Sequence, residues 1–199
     1  KKQIKFLGGV GYIANLCSSF AKETRIISFL GEKKEEKNFV LRSLDKKIKH
    51  NFLLKKNSPT IIKTRYLDDY RKSKLLGVYD LNDDPISKKE ENSFLNILKT
   101  IINKYDIIVV ADYGHGIITE KIRKIITNSS KKLFLNTQIN SFNRGYHTVY
   151  KYKKINSLII NESELRYELK DKYSTILGLA KKLRKKISVD NIIVTKGKW

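Results

Sequence analysis

The fold class this sequence predicts is an α/β domain with a mostly parallel sheet, and three observations predict it. Short apolar, β-branched runs alternate with longer segments of helical period. The longest runs, Ile107 to Ala111 and Leu158 to Ile160, are strand-sized and far below the roughly 18 residues of a membrane span. Glycine- or asparagine-bearing turns follow several of the runs. A chain of 199 residues with 40% apolar and 31% charged side chains is globular rather than disordered. It is long enough for one domain with a sizeable core, so residues 1–199 are expected to form a single domain.

In chain order, strands are expected at Ile4–Leu7, Thr24–Phe29, Ile107–Ala111, Leu133–Asn136, Leu158–Ile160 and Asn191–Thr195. Helices are expected over Gly11–Phe20, Glu35–Lys47, Ser87–Asn103, Thr119–Asn128, Glu162–Leu169 and Tyr173–Lys186. Phe52 to Leu81 breaks the alternation. Two strand-like runs there, Thr60 to Tyr66 and Lys74 to Tyr79, have no helix between them, and a small antiparallel flap or an ordinary edge hairpin fits them equally. Asp83-Asp84-Pro85 ends it, and Ser87 is placed to cap the next helix. No internal repeat or low-complexity linker interrupts the chain.

The formal charge of +22 sets up a field that attracts anions. The lysines are scattered in pairs such as Lys33-Lys34, Lys88-Lys89 and Lys185-Lys186, which favours solvated surface positions over one functional stripe. Cys17 is the single cysteine, so no intrachain disulfide forms and no Cys/His set has zinc spacing. A reducing cytoplasm is the expected compartment. The Lys1–Lys5 segment lacks the apolar core of a signal peptide and reads like the middle of a strand, as though the chain began inside a longer protein.

Four constellations are placed where ligands bind in open α/β sheets, at the carboxyl ends of strands. Gly8-Gly9-Val10-Gly11 turns from a strand into a helix, and glycines there allow close backbone approach to a ligand. A plain structural turn explains it as well, and the G-x-G-x-x-G spacing of a dinucleotide site is missing. Asn15, one turn later on an apolar face, needs a partner that a bound hydroxyl would supply. Asp112, in Asp112-Tyr113-Gly114-His115-Gly116, closes the most apolar strand, where it faces either a substrate or the loop's own amides. Asn161 and Glu164 have the spacing of a capping box, which spacing alone favours over a hydrated magnesium site. Thr195-Lys196-Gly197-Lys198 suits nucleotide phosphates or a simple turn.

Taken together and in this order, the four pieces resemble the PfkB, or ribokinase-like, family of carbohydrate kinases. Gly8 to Asn15 is similar to the family's G-G-x-x-x-N-x-A signature, with Leu16 as a departure. Asn161-Glu162-Ser163-Glu164 matches N-x-x-E, and Thr195-Lys196-Gly197 matches T-x-G. Lys63-Thr64-Arg65, Asp112 to Gly116 and Asn136-Thr137-Gln138-Ile139-Asn140 bring the chain nearest to heptose 7-phosphate kinases and sugar kinases fused to nucleotidyltransferases. His115 stands where D-Y-x-K-G has lysine, and Asn136-Thr137-Gln138 where many relatives have D-P-K.

The resemblance implies a three-layer α/β/α domain with a small β lid at about residues 52–81, and transfer of the ATP γ-phosphoryl group to a sugar or sugar-phosphate hydroxyl. Gly8, Gly9 and Asn15 would hold the sugar, with Lys63 and Arg65 on its polar or charged substituents, and Asp112 is a further candidate for binding the substrate. Asn161 and Glu164 would organise magnesium and phosphates, Glu164 through water. Thr195 and Gly197 would border the nucleotide. It also implies a homodimer through the lid and a nucleotidyltransferase partner or fusion. The family's G-A-G-D loop, which carries the catalytic base, is absent from these residues and is expected beyond Trp199. Little kinase activity is therefore expected of the 199 residues alone. Two other readings compete: a non-catalytic nucleotide- or sugar-binding remnant or interaction domain, and a basic nucleic-acid-binding module. The second lacks any recognisable signature.

Overall fold

The computed structural model describes residues 3–71, 73–139, 143 and 145–197. The chain divides into two compact units, Lys1–Phe94 and Leu95–Trp199. In the first, α1 (Gly9–Ser18), β1 (Arg25–Leu30), α2 (Lys34–Ser43) and β2 (Lys49–Leu54) form one β-α-β unit. The strands pair in parallel from Arg25↔Lys49 to Leu30↔Leu54, with α2 as the crossover that parallel strands require. Ala14, Ile26, Leu44 and Ile48 make a buried core, covered by Leu7, Val10, Val40 and Phe52. Val10 and Ala14 reach it together because residues four apart share a helix face.

Three expectations change here. Ile4–Leu7 is not a strand: β1 pairs with β2, no ladder reaches Ile4–Leu7, and Ile4 and Phe6 remain 61% and 74% exposed. Phe52 belongs to the parallel strand β2 and not to the flap, a strand hidden in the sequence by its polar start, Lys49-His50-Asn51. The helix expected through Lys47 ends at Ser43, because Asp45 accepts the Lys47 amide at 2.8 Å and starts a turn.

The flap itself is the expected antiparallel pair, β3 (Ile62–Leu67) with β4 (Lys74–Asp80), bulged after Tyr66. Alternation puts Lys63 and Arg65 on one face with their cross-strand partners Tyr79 and Gly77. Ile62, Tyr66, Leu76 and Val78 occupy the other face, all exposed. At the flap's root Gly31 lies against the chain at Pro59–Thr60 and donates its amide to the Thr60 hydroxyl at 2.9 Å.

Glu90 also belongs to the root, accepting from the Lys56 amide at 2.9 Å and from the Ser87 amide and hydroxyl at 2.7 Å each. Burial opposes its charge, yet those bonds and the nearby Lys55 ammonium outweigh burial and hold the carboxyl below the usual carboxylate range. A depressed carboxylate stabilises the fold above its unfolded pKa, about 4.3, and that stabilisation disappears as pH falls through the lower folded value. Wild type should therefore lose stability between about pH 5 and 3 more steeply than Glu90→Gln in thermal melts, and parallel curves would refute the assignment.

The second unit holds a four-stranded, fully parallel sheet in the order β5 (Ile107–Asp112), β6 (Lys132–Thr137), β7 (Lys154–Asn161), β8 (Ser188–Thr195). Its helices are the end of α3 (Lys88–Ile101), α4 (Glu120–Asn128), α5 (Glu162–Leu169) and α6 (Ile176–Arg184). Ile122, Leu135, Leu158, Leu165, Leu179 and Leu183 are fully buried and form the core. Thr119 caps α4 through the Ile122 amide, and Thr175 caps α6 through the Gly178 amide. The helix expected from Tyr173 starts only at Ile176. Asp171 takes up the Tyr173 and Ser174 amides, at 3.1 and 2.9 Å, and so holds that stretch as a turn. Among the described residues, no helix is long and apolar enough to cross a membrane.

Candidate functional site

In the first unit the glycine turn opens α1. Gly8 is the N-cap in extended conformation, and Gly9 sits at φ 49°, in the left-handed region that favours glycine. A Cβ at Gly8 would meet nothing within 4 Å. Among the described residues its lack of a side chain therefore serves no packing need, and the backbone is open to an approaching group. Gly11 is different, since a Cβ there would press on Leu7 at 3.3 Å.

Asn15 finds partners inside the protein. Its Nδ2 donates to the Ser43 carbonyl and its Oδ1 accepts the Asp45 amide, both at 2.9 Å, tying α1 to the end of α2. One N–H and one oxygen lone pair remain for a ligand. On the flap, the Lys63 ammonium lies 5.7 Å from the Tyr79 ring centre, and burial lowers its pKa, with Arg65 adding to the effect. Lys74, which the motifs did not single out, flanks the same ring at 5.9 Å.

In the second unit the carboxyl ends of the parallel strands line up Asp112 opposite Thr137 and Asn161 opposite Thr195. Asn161 and Glu164 form the capping box that their spacing suggests. Asn161 Oδ1 accepts the Ser163 amide at 2.8 Å, and Glu164 accepts the Asn161 amide at 3.0 Å. The other Glu164 oxygen accepts the Ile139 amide at 3.3 Å, joining the ends of β6 and β7. Tyr113 lies nearby, its phenol pKa raised by burial and by the Glu164 charge. Thr195 and Gly197 are exposed, and a Cβ at Gly197 would meet nothing within 4 Å.

Both Glu164 oxygens already hold backbone amides, and no group of three or more His, Cys, Asp or Glu among the described residues could hold a metal ion. Direct chelation does not fit. Each oxygen keeps a second lone pair, so one carboxylate meeting the water shell of magnesium does fit.

Asp112 is only 6% exposed and turned inward. One oxygen accepts the Tyr152 hydroxyl at 2.7 Å and the other the Gly114 amide at 3.1 Å. His147 Nε2 sits 2.9 Å from the Asp112 carbonyl oxygen, which can only accept, so this nitrogen carries the hydrogen. Burial beside Asp112 drives the Tyr152 phenol pKa far above its ordinary value. Gly114, at φ 70°, lets Asn143 come in to donate to the Tyr113 and Gln138 carbonyls. His115 is buried in the same loop. Tyr152, His147 and Asn143 lie 31 to 40 residues from Asp112, and no local pattern in the sequence marks them. Asn140 and Lys198 lie outside the described residues.

This order of elements, a β-α-β unit with an antiparallel flap and then a parallel sheet, recurs in solved structures. Escherichia coli phosphofructokinase-2 in complex with fructose-6-phosphate superposes with TM-score 0.70 at 12% identity, over 96% of this chain and 62% of that one. Ribokinase from Giardia lamblia does so with TM-score 0.67 at 14% identity, over 87% and 56%. The fold is ribokinase-like. No family model matches the chain. In sequence, the chain is similar to the bifunctional protein HldE of a Nitratiruptor species, 27% identical over 203 residues. That match takes in 98% of this chain and 41% of the relative, so the chain spans about two fifths of the curated relative's length. The ribokinase-like fold is the α/β class expected from the alternation of strands and helices, and the similarity to HldE follows the resemblance carried by the motifs.

Proposed function

We propose that these residues are part of an ATP-dependent kinase domain acting on a sugar or sugar phosphate, with heptose 7-phosphate as the favoured substrate. The observation that carries the reading is the similarity to HldE over 98% of the chain, on a ribokinase-like fold. Gly8 and Gly9 offer open backbone to the sugar, Asn15 its remaining amide hydrogen, and Lys63 and Arg65 two cations for an anionic substituent. Thr195 and Gly197 border the nucleotide, and Asn161 and Glu164 shape the strand ends where its phosphates would lie. Magnesium, held through water by Glu164, would neutralise phosphate charge. Asp112 enters as the residue that holds the Tyr113–Gly116 loop in place.

Phosphoryl transfer breaks the bond between the γ-phosphorus and the β,γ-bridging oxygen, forms one to the sugar oxygen, and passes the hydroxyl proton to a base. None of the residues discussed is assigned as that base. The exposed apolar face of the flap, Ile62, Tyr66, Leu76 and Val78, suits burial against a second copy. A cytoplasmic setting and a nucleotidyltransferase partner or fusion complete the reading.

Calorimetric titration of the chain with heptose 7-phosphate and with MgATP tests it. Both should bind, and Gly8→Val should weaken sugar binding about tenfold, a loss of about 1.4 kcal/mol, while the poorer N-cap lowers the melting temperature only slightly. Failure of both ligands to bind the folded chain refutes the proposal.

A further inference from the structure

The flap is joined to the rest of its unit by two arms, residues 55–61 on the way in and residues 81–87 on the way out. Lys55 is 8% exposed, an unusual position for a lysine. Its own amide is bonded to the Leu30 carbonyl at 2.9 Å, which fixes it to the end of β1. Its ammonium group crosses to the exit arm and donates to the carbonyls of Asn82 at 2.8 Å and Asp84 at 2.7 Å. Glu90 makes the reverse connection, reaching from the start of α3 to the Lys56 amide of the entry arm while holding Ser87 of the exit arm.

A buried ammonium is costly unless its donors are matched, and an apolar side chain of the same length would avoid that cost. What lysine adds is direction, because its donors reach two carbonyls on a segment nearly 30 residues away.

We propose that Lys55 and Glu90 form a clasp that closes both arms of the flap at one point, making Lys55 a positioning residue for the flap cations Lys63 and Arg65. On the entry side Thr60 is held as well, its amide by Glu36 and its hydroxyl by the Gly31 amide, so with both arms fixed the flap turns about Ile61 and Leu81. Lys63 and Arg65 then move as one body, and an anionic ligand meets them at a set spacing. This last step rests on the kinase reading above, whereas the clasp itself does not.

Hydrogen exchange read by mass spectrometry on the 199-residue chain, its Lys55→Met variant and its Glu90→Gln variant tests the clasp. Amides of residues 56–61 and 81–87 should exchange at least about tenfold faster in both variants, while those of β1 and β2 keep wild-type rates. A rise spread evenly through β1 and β2, or no rise in the arms, overturns the proposal. If Lys55→Met does not fold, Glu90→Gln decides by the same segments. Heptose 7-phosphate titrations then test positioning: its Kd should rise about tenfold in the variants, with that for MgATP unchanged. An unchanged sugar-phosphate Kd in a variant with loosened arms overturns the positioning role. Absence of binding to wild type counts against the kinase reading, and the exchange result still decides the clasp.

Discussion

Gly31→Ala is expected to lower the stability of the first unit by about 3 kcal/mol or more, at the upper end of what inserting a single methyl does. A Cβ built on Gly31 would lie 2.1 Å from the Pro59 carbonyl carbon and from the Thr60 nitrogen, and 2.5 Å from the Ser58 carbonyl oxygen. These are backbone atoms and cannot rotate away as a side-chain tip would. They are also held in place: the Ser58 carbonyl accepts the Glu32 amide at 3.1 Å, and the Thr60 amide donates to Glu36 at 3.1 Å. Relief therefore requires the entry arm of the flap to leave the end of β1, breaking the bond from Gly31 to the Thr60 hydroxyl as well. Urea unfolding followed by far-ultraviolet circular dichroism should show the first unit melting early and the second near its wild-type midpoint. A change under about 1 kcal/mol would mean that the arm is not packed against Gly31 as described.

Gly31 also shows where the sequence stops being readable. In Leu30-Gly31-Glu32 it looks like any turn glycine after a strand, and nothing local announces that Pro59 and Thr60 will come to rest on it. Local signals served well where the physics was local. Glu162–Leu169 is the helix expected to the residue, because Asn161 and Glu164 carry their capping chemistry within one turn. The flap hairpin was legible because its two strand-like runs lack a helix between them, but the assignment of Phe52 failed. That side chain is placed by pairing with Ser28 across a parallel ladder, a non-local contact that the polar residues before it conceal. Asn15 shows the same limit at the candidate site. The sequence indicated that its amide needs a partner; the fold provides one 28 residues away in Ser43. Lys55 and Glu90 were passed over for a related reason, since each resembles the many solvated charges of a chain at +22 until burial and bonding distinguish them.

Asp112→Ala should cost the second unit about 3 kcal/mol, because it strands one fully buried and one half-buried donor at once. The Tyr152 hydroxyl, on a side chain with no exposure, and the half-buried Gly114 amide both lose their acceptor. Tyr152→Phe alone removes one hydrogen bond to a charged group and should cost about 1.5–3 kcal/mol. The double variant should fall short of the sum by at least about 0.5 kcal/mol, since the two residues share that bond. Asp112→Asn separates this internal role from a ligand role. An amide keeps the shape and one acceptor oxygen, so some stability is lost while the loop stays close to its wild-type path. If Asp112 acts by holding the loop, the folded Asn variant should bind heptose 7-phosphate within about threefold of wild type, a difference of about 0.7 kcal/mol. A loss of affinity of roughly a hundredfold, about 2.7 kcal/mol, with little loss of stability would return Asp112 to the ligand. The geometry favours the first outcome. Both carboxylate oxygens are engaged within the protein, and Thr137, opposite Asp112 at the end of β6, is buried as well.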